Sequence, residues 1–176
     1  MTLLALAYPE LNKTDLCFIE QLRKENDSQG HSTLAAHFTF VFPTDDFSKS
    51  TFEKVMHANL AEQTAIDFVI RMAIFMPPLV NHQSWYAFLV PDEGFSDLTK
   101  LYNKAHQGEL RSQMRYDFPY IPHITIGSFN EKERCIAAVK EINKQEIEIK
   151  GTIKKVALSE VIDAKVLSFS EIDLLS

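Results

Sequence analysis

Two short stretches of this chain alternate between apolar and polar side chains so regularly that they fix both a secondary structure and an orientation. In residues 36–42, Phe38, Phe40 and Phe42 fall on one side and His37, Thr39 and Val41 on the other. In His123-Ile-Thr-Ile-Gly127 the histidine, threonine and glycine share one side and the two isoleucines the other. A period of two belongs to a half-buried strand, because successive side chains leave a pleated backbone on opposite faces. Each segment therefore demands a core on one face and leaves the other face polar.

The surroundings of the two strands repeat as well. Leu3 to Tyr8 reads as a buried strand stopped by Pro9, followed by a helix from about Lys13 to Glu25 with Asp15, Phe18, Ile19 and Leu22 along one face. Asn26 to Gly30 reads as a loop leading into the first alternating strand. Ser50-Thr-Phe-Glu53 matches a capping box for a second helix with Phe52, Val55, Met56 and Leu60 inward. Two β segments at about 65–76 and 84–90, rich in Ile, Val, Phe, Trp and Tyr and joined by residues 77–83, are expected to pair as a hairpin, with the Met72, Ile74, Met76 stripe facing the core. A third helix at about 95–107 ends near Gly108, and the proline-interrupted stretch Arg111 to Pro122 reads as an exposed loop. After the second alternating strand, Asn130 to Glu133 caps a fourth helix with Cys135, Ala138, Val139 and Ile142 inward, and strands are expected at about 146–161 and 166–174. Strand, helix, His-x-Thr strand and helix thus occur twice in order. An α+β fold of mostly antiparallel sheets backed by helices is the simplest way to bury these faces.

Length and charge restrict what such a fold can meet. The 176 residues suit one domain spanning 1–176, with a monomer as the default state. No apolar run approaches the ~20 residues of a membrane span, and the first residues lack the basic start of a secretory signal, so a cytoplasmic place is expected. A net charge of −6 leaves little attraction for a long duplex nucleic acid, while a nucleotide or an RNA terminus remains a fitting partner. Cys17 and Cys135 form no Cys-x-x-Cys pattern or Cys/His cluster, so no metal or cofactor is expected and both read as core thiols.

Within each alternating strand the imidazole and the hydroxyl lie on one face, roughly 6–7 Å apart along the backbone. Brought face to face, His37, Thr39, His123 and Thr125 suit a phosphodiester undergoing in-line displacement: one histidine beside the attacking oxygen, the other beside the leaving oxygen, and the threonines on the phosphoryl oxygens. Histidine fits because its ordinary pKa of about 6.5 lets one ring be neutral and the other protonated near pH 7. Gly127, on the same face, is expected to let backbone approach the phosphate. His-x-Ser/Thr also occurs at His31 and His82, where chance alone gives about one match in a chain of this kind. Only the copies at 37 and 123 lie in alternating strands with apolar residues on both sides of the threonine.

These residues resemble the signature of the 2H phosphoesterase superfamily, the group of 2′-5′ RNA ligase-like proteins and cyclic phosphodiesterases: His37-Phe-Thr-Phe40 and His123-Ile-Thr-Ile126, an interval of 86 residues, and Pro122 before the second histidine. The resemblance implies a bilobal fold with two pseudo-symmetric sheets, helices outside and a central cleft. It also implies metal-independent chemistry on 2′,3′-cyclic phosphates or 2′-5′ linkages. The basic residue that many members carry after the second motif is replaced here by Gly127-Ser128-Phe129.

Around this constellation, Tyr116, Phe118 and Tyr120 are candidates for stacking on a nucleobase, and Arg111 and Arg115 for steering a phosphate; Tyr120 and Arg115 are the two carried forward as substrate-binding residues. Trp85 and Tyr86 point to opposite strand faces, so at most one lines a cleft, with core packing expected for either. His57 and His106 are expected at the surface. Two functional readings follow: a 2H-type enzyme in which His37 and His123 serve as general acid and base, and a non-catalytic module that holds a nucleotide or RNA terminus in the same cleft. A partner-binding role for the aromatic loop ranks behind both.

Overall fold

The computed structural model describes residues 1–78, 83–116 and 118–176, and in chain order its elements are β1 (Thr2–Ala7), β2 (Glu10–Leu11), α1 (Lys13–Asn26), α2 (Ser28–Thr33), β3 (Phe38–Thr44), α3 (Lys49–Leu60), β4 (Ile66–Met76), β5 (Trp85–Glu93), α4 (Phe95–Ala105), a 3-10 turn (Gly108–Gln113), β6 (Ile124–Phe129), α5 (Lys132–Asn143), β7 (Ile149–Ile153), β8 (Lys155–Ile162) and β9 (Lys165–Asp173). β1 is buried on both faces from Leu3 to Ala7, and it pairs antiparallel with β3 on one side and β8 on the other, giving a four-stranded sheet ordered β3-β1-β8-β9. The second sheet is ordered β2-β7-β4-β5-β6, again with antiparallel neighbours. The chain is therefore α+β with two antiparallel sheets and helices outside them, as expected, and each His-x-Thr segment feeds the terminal strand of its own sheet.

The two terminal strands share a detail that the sequence did not announce. In β3, Thr39 pairs with Leu6 and Val41 with Ala5, so Phe40 is an extra residue; in β6, Thr125 pairs with Phe88 and Gly127 with Ala87, so Ile126 is extra. Each strand thus carries a β-bulge at the third residue after its histidine, and a bulge turns the alternation over. This corrects two expectations. Phe42 leaves the Phe38–Phe40 side and Val41 joins the core in its place. Gly127 likewise turns away from the His123 face toward the core, where an added Cβ would sit 2.5 Å from the Phe129 ring and 3.1 Å from Cβ of Asn26.

Helix starts follow their caps. Asn12 accepts from the Asp15 N–H at 2.8 Å and opens α1, and Ser48, two residues before the expected Ser50, accepts from the Thr51 N–H at 3.1 Å and opens α3. Helix α5 begins at Lys132 after Glu131, with no side-chain cap bond from the expected Asn130 box. α1 packs on β6 and α5 on β4, β5 and β6; α4 touches β3 of one sheet and β4 and β5 of the other, while α3 lies against α4 and β9. Asn143 pins the end of α5 to β4, its amide accepting from Ala73 N–H at 2.7 Å and donating to Ala73 O at 2.9 Å. The buried apolar side chains of both sheets form one continuous cluster, with Phe38, Phe40, Phe52 and Phe68 among the largest.

Other expectations change in the same way. The loop expected at 26–30 contains the start of α2, and the strand expected at 146–161 divides into β7 and β8, which belong to different sheets. β4 and β5 pair as a hairpin, while residues 79–82 of its turn, including His82, lie outside the described residues. A register shift near Arg71 rotates β4, so Met72 is exposed while Ala73 is buried, and the methionine stripe is not a core face. The stretch expected as an exposed loop from Arg111 opens inside the 3-10 turn, which ends at Gln113. Cys17 is exposed and Cys135 buried. His106 is only 1% exposed: its Nδ1 donates to Tyr102 O at 2.8 Å, an i to i−4 bond that satisfies a carbonyl at the end of α4, and its ring lies against Tyr102.

Candidate active site

His37 and His123 stand one residue before β3 and β6, and the same local bond sets both rings. His37 Nδ1 lies 2.8 Å from Ala35 O, and His123 Nδ1 lies 2.6 Å from Ile121 O. A carbonyl only accepts, so in each neutral ring Nδ1 carries the proton and Nε2 keeps its lone pair for whatever enters the cleft. The duplication recognised in the order of elements therefore extends to the tautomer of the two imidazoles.

The rings sit in apolar company. His123 stacks on Phe88 with centroids 3.7 Å apart and planes 20° from parallel, and His37 meets the edge of Tyr8 at 6.2 Å. Burial therefore dominates their proton affinity. It pushes His123 down to about 4, opposed by the bond to Ile121 O and reinforced by the positive charge that His37 would place nearby. His37 is also lowered, chiefly by burial, with the Ala35 carbonyl and the carboxylates of Glu20 and Asp27 working upward and Arg23 downward. The two rings are near enough for a charge on His37 to lower the proton affinity of His123, although the cavity beside His123 and Thr125 is not lined by His37 or Thr39. Both rings are neutral at pH 7, and an anion between them would favour their protonated forms.

Beside His123 and Thr125 lies a cavity of about 430 Å³ whose walls include Phe42, Tyr86, Phe88, Phe118 and Arg115. Phe42 is there because of the bulge in β3, and Phe118 meets it edge-on at 6.1 Å. The Arg115 guanidinium lies 4.5 Å from the Phe118 centroid and borders the same cavity. Tyr86, expected in the core, is the member of the Trp85–Tyr86 pair that lines the cavity; Trp85 meets Phe75 and Lys132 instead. Tyr120 borders the cavity too, but one of its faces is covered by Tyr102 at 3.7 Å, and its hydroxyl donates to Thr39 O at 3.0 Å. That bond ties the segment before β6 to the start of β3. Tyr116 is 75% exposed and Arg111 is exposed, and neither borders the cavity. His57 is exposed, and His31 lies in α2, 3.5 Å from a Glu20 oxygen.

Sequence reasoning missed Phe42, Tyr86 and Phe88 as cavity walls, because the bulges and strand pairings that place them depend on partners far along the chain. It also missed Glu20 and Arg23, which hold the segment before His37. Among the described residues, no group of three His, Cys, Asp or Glu side chains is disposed to hold a metal ion, and no helix is long and apolar enough to cross a membrane.

Comparison with known proteins agrees with this architecture. Two solved structures align over nearly the whole chain: Escherichia coli LigT in its apo form, at 14% identity and TM-score 0.58, covering 99% of this chain and 98% of that one, and Kluyveromyces marxianus Usb1, at 9% identity and TM-score 0.60 with the same coverage. A protein described as a phosphoesterase aligns at 10% identity and TM-score 0.57, covering 99% of each chain. At these identities the likeness speaks for the fold. A search of curated protein sequences returns no match. The model of the 2′-5′ RNA ligase superfamily matches residues 9–163, which takes in both His-x-Thr strands, α1 through α5 and all of β8. The chain belongs to the 2′-5′ RNA ligase superfamily and, with it, to the 2H phosphoesterases that its paired motifs resemble.

Proposed function

We propose that this protein is a 2H-type phosphodiesterase that opens 2′,3′-cyclic phosphates or cleaves 2′-5′ linkages in nucleotides or RNA ends, acting as a single bilobal unit and a monomer in the cytoplasm. The observation that carries the reading is the matched pair of Nδ1–carbonyl bonds, which leave two Nε2 lone pairs at the heads of two equivalent strands. One solved relative in fold, E. coli LigT, has been solved in complex with 3′-AMP and with ATP. The aromatic cavity here has the size and lining that suit a base.

In a cyclic phosphate, the histidine nearer the attacking water accepts one of its protons as the water oxygen bonds to phosphorus. The bond from phosphorus to the leaving ribose oxygen breaks, and the other histidine, as imidazolium, donates its Nε2 proton to that oxygen. The anionic substrate supplies the reason for the second ring to be protonated at all, since both rings are neutral in its absence. Thr39 and Thr125 donate to the non-bridging oxygens, where charge develops, and Arg115 and Tyr120 border the substrate at the cavity. At the end the proton has moved from one ring to the other, and exchange with water restores the starting state.

The test is chromatography of a 2′,3′-cyclic nucleotide incubated with the protein in the presence of chelator. Turnover is expected, with a bell-shaped pH profile, and each of His37→Ala and His123→Ala is expected to lose roughly 10²–10⁴-fold. Full activity in either variant overturns the assignment. The strong depression of the His123 proton affinity and the missing basic residue after the second motif favour one other reading, a binding module. It is distinguished by saturable nucleotide binding that survives His→Gln changes and yields no product.

A further inference from the structure

We propose that Glu20 and Arg23, on α1, are positioning residues for His37, holding from the opposite lobe the backbone that orients its ring. The inference rests on the catalytic reading above for its kinetic consequence, but the geometry is separate from it. Arg23 is 2% exposed, an uncommon place for a guanidinium. Its Nη1 donates to both oxygens of Glu20, at 2.9 and 3.1 Å, and its Nη2 donates to Leu34 O at 2.7 Å and Gly30 O at 3.3 Å. Glu20 Oε1 in turn accepts from the Ala36 N–H at 2.7 Å. One ion pair thus fastens residues 34 and 36, on either side of Ala35, whose carbonyl holds His37 Nδ1.

The attachment crosses between lobes. α1 follows β2, a strand of the five-stranded sheet, and packs on β6, whereas residues 34–36 lead into β3 of the four-stranded sheet. The helix that rides on the His123 strand therefore grips the lead-in to the His37 strand. Before His123, Pro122 and Tyr120, stacked on Tyr102, stiffen the chain. A buried pair of this kind gives little net stability, because desolvation offsets its attraction, but removing one partner leaves the other costly and the backbone unheld. Fixing a catalytic group within a fraction of an ångström is a use in which that cost is repaid in rate, since a displacement of about 1 Å can lower turnover on the order of 100-fold.

The charged and titratable groups around His37 are Glu20 and Arg23 of α1, Asp27 at its end, Tyr8 after β1 and His123 opposite; His31 of α2 touches Glu20 from the far side. The experiment compares Glu20→Ala and Glu20→Gln with the wild type. It records the imidazole nitrogens by NMR across pH and, in parallel, kcat and KM on a 2′,3′-cyclic nucleotide. In Glu20→Ala the Ala36 N–H loses its acceptor. His37 is expected to abandon the pure Nδ1–H tautomer while His123, in the same spectrum, keeps it, and kcat is expected to fall roughly 10–100-fold with KM changed less than about threefold. Glu20→Gln retains an acceptor and loses the charge, so the tautomer and most of kcat should return while the His37 titration moves to lower pH. A folded Glu20→Ala protein with the His37 tautomer and titration of the wild type overturns the proposal. Should that variant not fold, Glu20→Gln decides, since an unmoved His37 titration is equally fatal. If the wild type turns over no substrate, the catalytic reading fails on that ground, and the NMR comparison still judges the positioning.

Discussion

Substituting His123 by Gln should make the protein less sensitive to acid, by an amount set by the ring's surroundings. In the folded chain burial against Phe88 holds His123 at about 4, whereas in the unfolded chain it titrates near 6.5. At pH 7.5 neither state is protonated and the ring contributes no pH dependence. As pH falls through 6.5 the unfolded chain takes up a proton that the folded chain refuses, so stability present above that pH is lost progressively until about pH 4. At about 1.4 kcal/mol for each factor of ten, the loss reaches roughly 2 kcal/mol at pH 5 and about 3 kcal/mol at pH 4. Glutamine is close in size, and its amide can still donate toward Ile121 O. Urea unfolding of wild type and His123→Gln at pH 7.5, 6, 5 and 4 gives the stability difference directly, and groups that titrate alike in both proteins cancel. The wild type should lose about 2 kcal/mol relative to the variant between pH 7.5 and 5. A difference constant to within about 0.5 kcal/mol over that range would refute the view that His123 is enclosed as a neutral ring.

Because both histidines are neutral in the free protein, binding of phosphate or a nucleotide monophosphate at pH 7 should draw in protons; calorimetry in buffers of different ionisation enthalpy should show net uptake, and binding without uptake argues against an anion seated between the rings. Tyr120→Phe removes the bond to Thr39 O and should cost about 1 kcal/mol in chemical denaturation, with a loss under about 0.3 kcal/mol counting against a bridge between strands. At the β8–β9 turn Asp163 and Ala164 both have positive φ, 49° and 59°, in a two-residue loop that favours glycine. Ala164→Gly should therefore stabilise the protein by about 0.5–1 kcal/mol in the same assay, and a loss of stability would contradict this account of the turn.

What was legible in the sequence was whatever a local period can express. Phe38 and Phe40 against His37 and Thr39, or Leu98, Leu101 and Tyr102 at helical spacing, declare both an element and its buried face, and these agree with the structure. That His37 and Thr39, and likewise His123 and Thr125, share the less buried face of their segments was legible for the same reason. Phe42 and Gly127 were misplaced because a bulge is decided by register with Ala5 and Ala87, which no window around either residue contains. Likewise, residues 146–161 read as one strand because nothing local reveals that β7 joins β4 while β8 joins β1. His106 looked like a surface charge at a helix end, yet its bond to Tyr102 O and the covering aromatic ring make a neutral, enclosed imidazole the better solution. Arg23 was invisible because arginine on an amphipathic helix reads as solvated, and only the returning chain at residues 30–36 gives it carbonyls to satisfy.

The order β3-β1-β8-β9 has a consequence for how the molecule comes into being. By the time a ribosome has added Asn143, all four motif side chains and every helix exist, yet β1 still lacks its neighbour on one side, since residues 2–6 pair with 157–161. A nascent chain at that stage holds the His123 strand on a sheet missing β7 and the His37 strand on a two-stranded ribbon, which is marginal in water. Closure therefore waits for a pairing that spans about 150 positions, the kind of contact that makes folding slow. Arrival of β8, more than synthesis of the motifs, completes the sheet that carries the His37 strand.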